Sequence, residues 1–196
     1  MTGRGARADP EGRSADGLTL ASRSPQRSAI LEQLGLTFQV AVSEAKEVGE
    51  GDPQALVRVN ALRKARAVDG ARVLGVDTAV ALGDRVFGKP RDQAEAGRFL
   101  AALSGRTHQV WSGIALVEGV TERVEAAVTG VTFRALTDAD RDWYLATGEW
   151  RDRAGGYAIQ GRGAALVERI DGDYLNVVGL PVAELVRMAP DLFAGA

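Results

Sequence analysis

Two long segments rich in β-branched and aromatic residues, residues 108–117 and 124–135, follow each other with only a short polar stretch at Glu118-Gly119 between them. Such a pair favours two antiparallel strands. Shorter strand-like segments alternate with helix-like segments before the pair, and further helix-like segments follow it. This order predicts a mixed α/β (α+β) fold, and it argues against a simple doubly wound sheet.

The first short segment, residues 18–21, runs into a turn of small and basic residues, Ser22-Arg-Ser-Pro-Gln-Arg27. Ser24 and Pro25 fit the N-cap and the first position of a helix that Gly35 ends. The free N–H groups at such a helix start favour an anion such as phosphate. The simpler alternative is that Ser24 only caps the helix and Arg27 lies in solvent. This segment alone favours the simpler alternative.

The apolar segment 72–76 leads into Asp77 and Thr78, and we expect the strand to end there. Ligands bind at the carboxyl ends of strands in open α/β sheets, although Asp-Thr at a strand end also serves as simple turn chemistry. Lys89, one of three lysines in the chain, lies between Gly88 and Pro90. That setting fits either an anion contact or a plain turn.

Several helices are indicated by their first residues. Asp52-Pro53 begins a helix that we expect to reach residue 68. Asp92 and Thr137 have the residue type and spacing of N-caps, and Pro181 opens the last helix. The helix after Asp52 is predicted to bury an apolar face made of Leu56, Val59, Leu62 and Ala65.

Several classes of protein are excluded by residues that the chain lacks. It has no cysteine and one histidine, which removes thiol nucleophiles, thiolate zinc sites and multi-histidine metal sites. A triad of serine, His108 and Asp77 is disfavoured because there is no Gly-x-Ser-x-Gly turn. The net charge of −2 excludes nucleic-acid binding driven by overall charge. There is neither a membrane-spanning apolar run nor a secretion signal, so we expect a soluble, cytoplasmic protein with no membrane partner.

Two stretches of the chain, residues 1–17 and residues 154–163, have an unusual composition. Residues 1–17 contain no Val, Ile, Leu, Phe, Trp or Tyr, and we expect a disordered N-terminal extension before one folded domain at residues 18–196. Residues 154–163 are rich in glycine and carry Tyr157 and Gln160. These two side chains could bind a flat heterocycle, or the stretch is an ordinary turn before a strand.

The order of the short motifs along the chain is more specific than any one of them. It resembles the Maf (septum-formation inhibitor-like) family of nucleoside triphosphate pyrophosphatases over residues 18–190. The motifs that carry the resemblance are Leu20-Ala-Ser-Arg-Ser-Pro-Gln-Arg27, Leu62-Arg-Lys-Ala65, Leu74-Gly-Val-Asp-Thr78, Gly88-Lys-Pro90, Leu103-Ser-Gly-Arg-Thr-His-Gln-Val110, Ala154-Gly-Gly-Tyr-Ala-Ile-Gln-Gly161 and Gly172-Asp-Tyr-Leu-Asn-Val-Val-Gly-Leu-Pro181.

The resemblance implies an elongated, two-lobed mixed sheet with flanking helices around a central groove, similar to inosine triphosphate pyrophosphatases. It also implies hydrolysis of nucleoside triphosphates to the monophosphate and pyrophosphate, which removes modified nucleotides from the pool. A divalent cation, Mg²⁺ or Mn²⁺, and a homodimer are implied as well.

By the same resemblance Asp77 matches the family's catalytic aspartate, as proton acceptor or metal ligand. Glu47 matches a second acid that contacts the metal, and Lys46 stands where the family has another acid. The residues that match phosphate contacts are Ser22, Ser24, Arg27, Lys64 and Lys89.

Base selectivity is implied by three further positions. Thr78 and Gln160 match the branch of the family that prefers dTTP and UTP, and Gln26 replaces an arginine of that branch. A Gln160 amide can accept from N3–H and donate to O4 of uracil or thymine. Two alternatives remain open: a pyrophosphatase for damaged purines such as inosine triphosphate, and a nucleotide-binding regulator of cell division with incidental turnover.

Overall fold

A computed structural model describes residues 17–194 as seven strands and six helices with three short 3₁₀ segments. The expected extension at residues 1–17 lies outside the described residues except for Gly17. The strands are β1 (Leu18–Leu20), β2 (Phe38–Val40), β3 (Arg72–Leu82), β4 (Arg85–Phe87), β5 (Thr107–Glu118), β6 (Thr121–Phe133) and β7 (Val167–Asp171). The helices are α1 (Pro25–Gln33), α2 (Pro53–Arg66), α3 (Gln93–Leu103), α4 (Asp138–Ala146), α5 (Tyr174–Val178) and α6 (Val182–Met188).

All seven strands form one mixed sheet in the order β2-β1-β3-β5-β6-β7, with β4 paired to β3. The pairs β2-β1 and β1-β3 are parallel, whereas β3-β5, β5-β6 and β6-β7 are antiparallel. The predicted long pair is β5 and β6, which stay in register over the whole length of β5. The expectation of a mixed α/β fold is therefore confirmed.

The prediction that the third strand ends before Asp77 is wrong. β3 continues to Leu82 because β5 pairs with it from Arg72 to Ala81, which places Asp77 opposite Gly113 in the middle of a strand. On its other edge β3 pairs with β1 only as far as Leu74 and with β4 only from Val80. Residues 75–79 therefore have no partner strand on that edge in the described part of the chain, and the sheet is open there.

Two hydrophobic clusters lie on either side of this opening. One contains Leu74 and Val76 of β3, packed with β1, α1 and α6. The other contains Val80 of β3, packed with α3, α4 and Tyr157. Asp77 and Thr78 lie between the two clusters along β3, which agrees with the two lobes that were expected.

Helix α2 begins as predicted, since the Asp52 carboxylate accepts from the N–H of Ala55 at 2.9 Å. Its predicted apolar face is wrong in part, because Val59 is 43% exposed and Leu62 is only half-buried. The helix packs its backbone against Gly75 and Gly113 of the sheet, and such close contact selects small residues. Its buried positions are Leu56, Val57, Asn60, Ala61 and Ala65.

The other predicted caps are confirmed. Asp92 accepts from the N–H of Glu95 at 2.7 Å, and Thr137 forms a reciprocal capping box with Asp140. Helix α5, which the sequence reasoning missed, is only five residues long. No helix within residues 17–194 has both the length and the apolar character that crossing a membrane requires.

Candidate active site

The turn between β1 and α1 directs its serine hydroxyls away from the helix cap. Ser24 makes no side-chain cap, and its hydroxyl donates to the amide oxygen of Gln26 at 3.1 Å. The backbone N–H of Ser24 donates to the hydroxyl of Ser22 at 3.2 Å. Ser24 is therefore the N-cap residue of α1 and Pro25 its first position, as predicted, but the Ser24 hydroxyl makes no capping hydrogen bond and is held at the open edge of the sheet.

Arg27 is buried rather than solvated, with 9% of its surface exposed. Its guanidinium donates to Ser22 Oγ at 3.0 Å, to Thr78 Oγ1 at 3.1 Å and to the carbonyl of Gly179 at 2.8 Å. Burial lowers the pKa of Arg27, and the charges of Asp77 and Glu47 oppose that shift. The side chain joins three distant segments beside the opening in the sheet.

Asp77 is 6% exposed and is held on both carboxylate oxygens. Lys64 Nζ donates to Oδ1 at 2.6 Å, and Asn60 Nδ2 donates to Oδ2 at 3.0 Å. Both donors come from α2, one turn apart and on one helix face. Helix α2 therefore orients the nearly buried carboxylate that lies at the open edge of the sheet.

Lys64 also bonds Glu47 Oε1, at 2.7 Å, so one ammonium bridges two carboxylates. Burial raises the pKa of the Glu47 carboxyl, but the Lys64 hydrogen bond and the charges of Lys64, Lys89 and Arg27 outweigh burial. The net result is a pKa below the usual value, so Glu47 is charged at neutral pH.

The loop that carries Glu47 is tied to α2 by Asn60, a residue that the sequence reasoning missed. Asn60 is 1% exposed, accepts from the N–H of Val48 at 2.7 Å and donates to its carbonyl at 2.9 Å. The same amide nitrogen reaches Asp77. The only signal for it in the sequence was its spacing of four residues from Lys64.

Lys89 follows β4 and is exposed at the mouth of the opening. It forms no ion pair with any of residues 17–194, in contrast to Lys64. Its charge still contributes to the low pKa of Glu47. Lys89 is thus a cation close enough to Glu47 to affect its pKa, without an ion pair to a carboxylate of residues 17–194.

A second group of polar side chains lies on the other side of Asp77. The hydroxyls of Thr78 and Ser112 are 3.0 Å apart, and Ser112 contacts the carbonyl of Asn176 at 3.3 Å. Tyr157 is buried with its hydroxyl 2.9 Å from His108 Nε2. Gln160 is exposed.

These residues surround one cleft with two arms. The more apolar arm includes Val80, Val110, Tyr157, Gln160 and Thr78. The more polar arm runs along the turn between β1 and α1 and includes Ser22. The arms share Ser24, Arg27, Glu47, Lys64, Lys89 and Asp152. Gln26 does not line either arm directly, but it contacts Ser24 and Arg153, which do.

A divalent cation fits this donor set. The described residues contain no cluster of three or more metal-ligating side chains. The carboxylates of Glu47 and Asp77 nevertheless converge on one cation, the Lys64 ammonium. Mg²⁺ binds through one or two carboxylates when phosphate oxygens and waters complete its shell, and two oxygen donors beside a set of cations match that chemistry.

Fold and site together define a class: a mixed α/β protein with a cation-rich cleft at an opening of its sheet. The model of the family described as Maf-like protein matches residues 17–192, and the chain belongs to that family.

Curated relatives cover most of the chain. A dTTP/UTP pyrophosphatase of Symbiobacterium thermophilum is 51% identical over 177 residues, which is 87% of this chain and 91% of the relative. A dTTP/UTP pyrophosphatase of Moorella thermoacetica is 50% identical over 179 residues, covering 87% and 92%. One of Deinococcus radiodurans is 45% identical over 180 residues, covering 89% and 92%.

Proposed function

We propose that this chain is a nucleoside triphosphate pyrophosphatase that hydrolyses dTTP and UTP to the monophosphate and pyrophosphate. The observation that carries the proposal is Asp77, a nearly buried carboxylate held by Lys64 and Asn60 in a cleft of cations. The names of the relatives support the same reaction. The family resemblance adds a role in clearing modified nucleotides of the same pyrimidine type from the nucleotide pool.

The phosphates would lie in the polar arm. A triphosphate carries about four negative charges, and its hydrolysis depends mostly on positioning and on charge stabilisation. Arg27, Lys64 and Lys89 supply positive charge there, and Ser22 and Ser24 supply hydroxyl donors. Arg27 is already held by three hydrogen bonds, so it needs little reorganisation when a phosphate binds.

In the proposed reaction a water oxygen attacks the α-phosphorus, and the bond from that phosphorus to the oxygen bridging to the β-phosphorus breaks. Pyrophosphate leaves, and Asp77 accepts the proton of the water. Glu47 and Asp77 would hold Mg²⁺ or Mn²⁺, which neutralises phosphate charge and lowers the pKa of a bound water. Lys64 can then exchange a carboxylate partner for a phosphate oxygen.

The base would lie in the apolar arm, with Gln26, Thr78 and Gln160 as the residues that select it. The Gln160 amide matches N3–H and O4 of uracil or thymine, and a mismatched base edge would leave the donor and the acceptor of that amide unpaired. Because Gln26 is neutral, we expect weaker discrimination than the dTTP/UTP branch usually has, extending to CTP. A kcat/KM for 7-methyl-GTP or ITP above that for UTP and dTTP would contradict this assignment.

The test is pyrophosphate release across a nucleotide panel with Mg²⁺ or Mn²⁺, with EDTA as the metal-free control. Tight binding without release would favour the regulator of division, and a preference for ITP would favour the damaged-purine enzyme.

Asp77→Asn tests the role of the carboxylate. The amide keeps the shape but loses the charge and the proton acceptor, so we expect kcat to fall by about 10²–10⁴ while UTP binding persists. Asp84→Asn changes an exposed carboxylate in the turn after β3 and serves as the matched control. Near wild-type kcat in a folded Asp77→Asn would remove Asp77 from the mechanism.

The proposal also includes a homodimer, which the family resemblance implies, and a cytoplasmic location, which we expect from a sequence with neither a membrane-spanning apolar run nor a secretion signal. Sedimentation velocity at micromolar concentration tests the first, and a monomer at all concentrations would contradict it. Fractionation of the source cells tests the second.

A further inference from the structure

Arg153 makes fewer hydrogen bonds than Arg27 and Lys64, two other cations of the cleft. Arg27 makes three hydrogen bonds, to two hydroxyls and a carbonyl, and Lys64 bonds two carboxylates. The guanidinium of Arg153 has no carboxylate partner in the described structure, and its one hydrogen bond there is from Nη1 to the neutral amide oxygen of Gln26. It lines the apolar arm together with Tyr157 and Gln160.

The backbone around Arg153 is tightly constrained. Asp152 has a φ of 58° and is the one non-glycine residue with positive φ in the described part of the chain. Gly155 has a φ of 71°, and its N–H donates to the carbonyl of Gly88, next to Lys89, at 3.1 Å. Strained backbone at a cleft wall is maintained only where the surroundings enforce it. The segment therefore constrains the backbone on both sides of Arg153.

The contact with Gln26 orients the guanidinium from the opposite wall. Gln26 Oε1 accepts both from Arg153 and from the Ser24 hydroxyl, so the amide oxygen faces the cleft wall of Arg153. Arg153 Nε is buried and has no hydrogen-bond partner among residues 17–194, so it is a donor that a ligand can satisfy. Gln26 thus acts as a positioning residue for a donor-only group.

We infer that Arg153 binds the nucleobase, donating a hydrogen bond to a carbonyl oxygen of uracil or thymine, and that Gln26 selects the base through Arg153. This inference rests on the proposed function. A guanidinium has donors and no acceptor, so it favours bases that present carbonyl oxygens. The apolar side chains Val80, Val110 and Tyr157 line the same arm, so a bound base would replace part of the water there, which raises the penalty for a lost hydrogen bond.

The experiment measures binding rather than turnover, so it is independent of hydrolysis. UMP, 2-thio-UMP, 4-thio-UMP and pyrophosphate are titrated calorimetrically into the wild type, Arg153→Gln and Arg151→Gln. Arg151 is the matched control because it lies two positions away and stacks on Trp150 at 4.6 Å. Sulfur accepts hydrogen bonds weakly, so we expect one thio-UMP to bind several-fold less tightly than UMP to the wild type.

In Arg153→Gln we expect UMP binding to weaken about tenfold and the penalty for sulfur to disappear, with pyrophosphate binding unchanged. Arg151→Gln should match the wild type. Gln26→Met should also weaken UMP binding and reduce the sulfur penalty. Adding Gln26→Met to Arg153→Gln should weaken UMP binding little further. Gln26→Glu keeps the acceptor oxygen and should retain the sulfur penalty.

Several results would overturn the inference. If the sulfur penalty survives in Arg153→Gln, Arg153 does not contact the base. The same conclusion holds if the wild type binds UMP and both thio derivatives equally. Equal weakening of UMP and pyrophosphate would assign Arg153 to phosphate. A lower Tm with unchanged binding would make Arg153 a structural tie. Failure of the proposed function is a separate observation, namely a wild type that releases no pyrophosphate from UTP.

Discussion

A single amide, that of Asn60, joins the loop of Glu47 to Asp77. Its oxygen and nitrogen bond both backbone groups of Val48, and the same nitrogen reaches the Asp77 carboxylate. A buried side chain with all these bonds satisfied fixes one geometry, because breaking any bond leaves an unpaired polar group. Asn60 is therefore a positioning residue for both carboxylates of the cleft.

Replacing Asn60 with Leu should separate positioning from binding. We expect the free energy of unfolding to fall by about 1–3 kcal/mol, because a buried side chain loses three hydrogen bonds. The kcat for UTP should fall by about tenfold or more, since Asp77 and the loop lose their common anchor, while KM changes little. Stopped-flow kinetics and urea unfolding measure the two effects.

The control for Asn60→Leu is Val59→Leu at the neighbouring exposed position. It should leave both quantities unchanged. A loss of stability in Asn60→Leu with kcat intact would mean that Asn60 is structural only.

His108 makes the stability of the fold depend on pH. Burial lowers its pKa from 6.5 to about 4, so the folded protein holds it neutral where an unfolded chain would protonate it. The free energy of unfolding is therefore highest, as far as His108 is concerned, above pH 6.5, and it falls as the pH falls towards 4. The loss is about 2 kcal/mol by pH 5. Urea unfolding of the wild type and of His108→Gln between pH 7 and 5 measures the difference, and parallel profiles would contradict this expectation.

At the scale of elements, the distance between α2 and the sheet is set by two glycines. A Cβ on Gly75 would lie 2.1 Å from the carbonyl oxygen of Ala61, and one on Gly113 would lie 2.1 Å from that of Val57. Both contacts are with helix backbone, which cannot rotate away. The close approach brings Lys64 and Asn60 within hydrogen-bond distance of Asp77.

Gly113→Ala should therefore affect both stability and catalysis. We expect a loss of at least about 2 kcal/mol in the free energy of unfolding, because α2 must move outward. We also expect a lower kcat, because Lys64 and Asn60 move with it. Gly130→Ala is the matched control in the same sheet, since its Cβ would lie 3.6 Å or more from its neighbours. Equal effects of the two substitutions would contradict this role of Gly113.

At the scale of the whole molecule, the folded unit is predicted to begin at Leu18, which is buried in β1. Deleting residues 1–17 should leave Tm and the kcat for UTP unchanged, because that segment has no Val, Ile, Leu, Phe, Trp or Tyr to pack. Differential scanning calorimetry and the pyrophosphate assay measure the two quantities. A fall in Tm of several degrees would show that the segment docks on the domain.

What the sequence by itself determined is local. The caps at Asp52, Asp92 and Thr137 and the turn between β5 and β6 depend on a few neighbouring residues, and each was predicted correctly. The order of the motifs along the chain also identifies the family correctly. The assignments of the site residues to catalysis, phosphate and base stay predictions.

The tertiary structure alone decided where those residues meet. The end of β3 was mispredicted because its extent depends on β5, which lies far along the chain. The buried face of α2 was mispredicted because backbone contact with Gly75 and Gly113 outweighs the apolar period of the helix. Asn60 and Arg153 were missed for the same reason: hydrogen bonds between distant segments leave no periodic or local pattern in a sequence, and only packing brings their partners together.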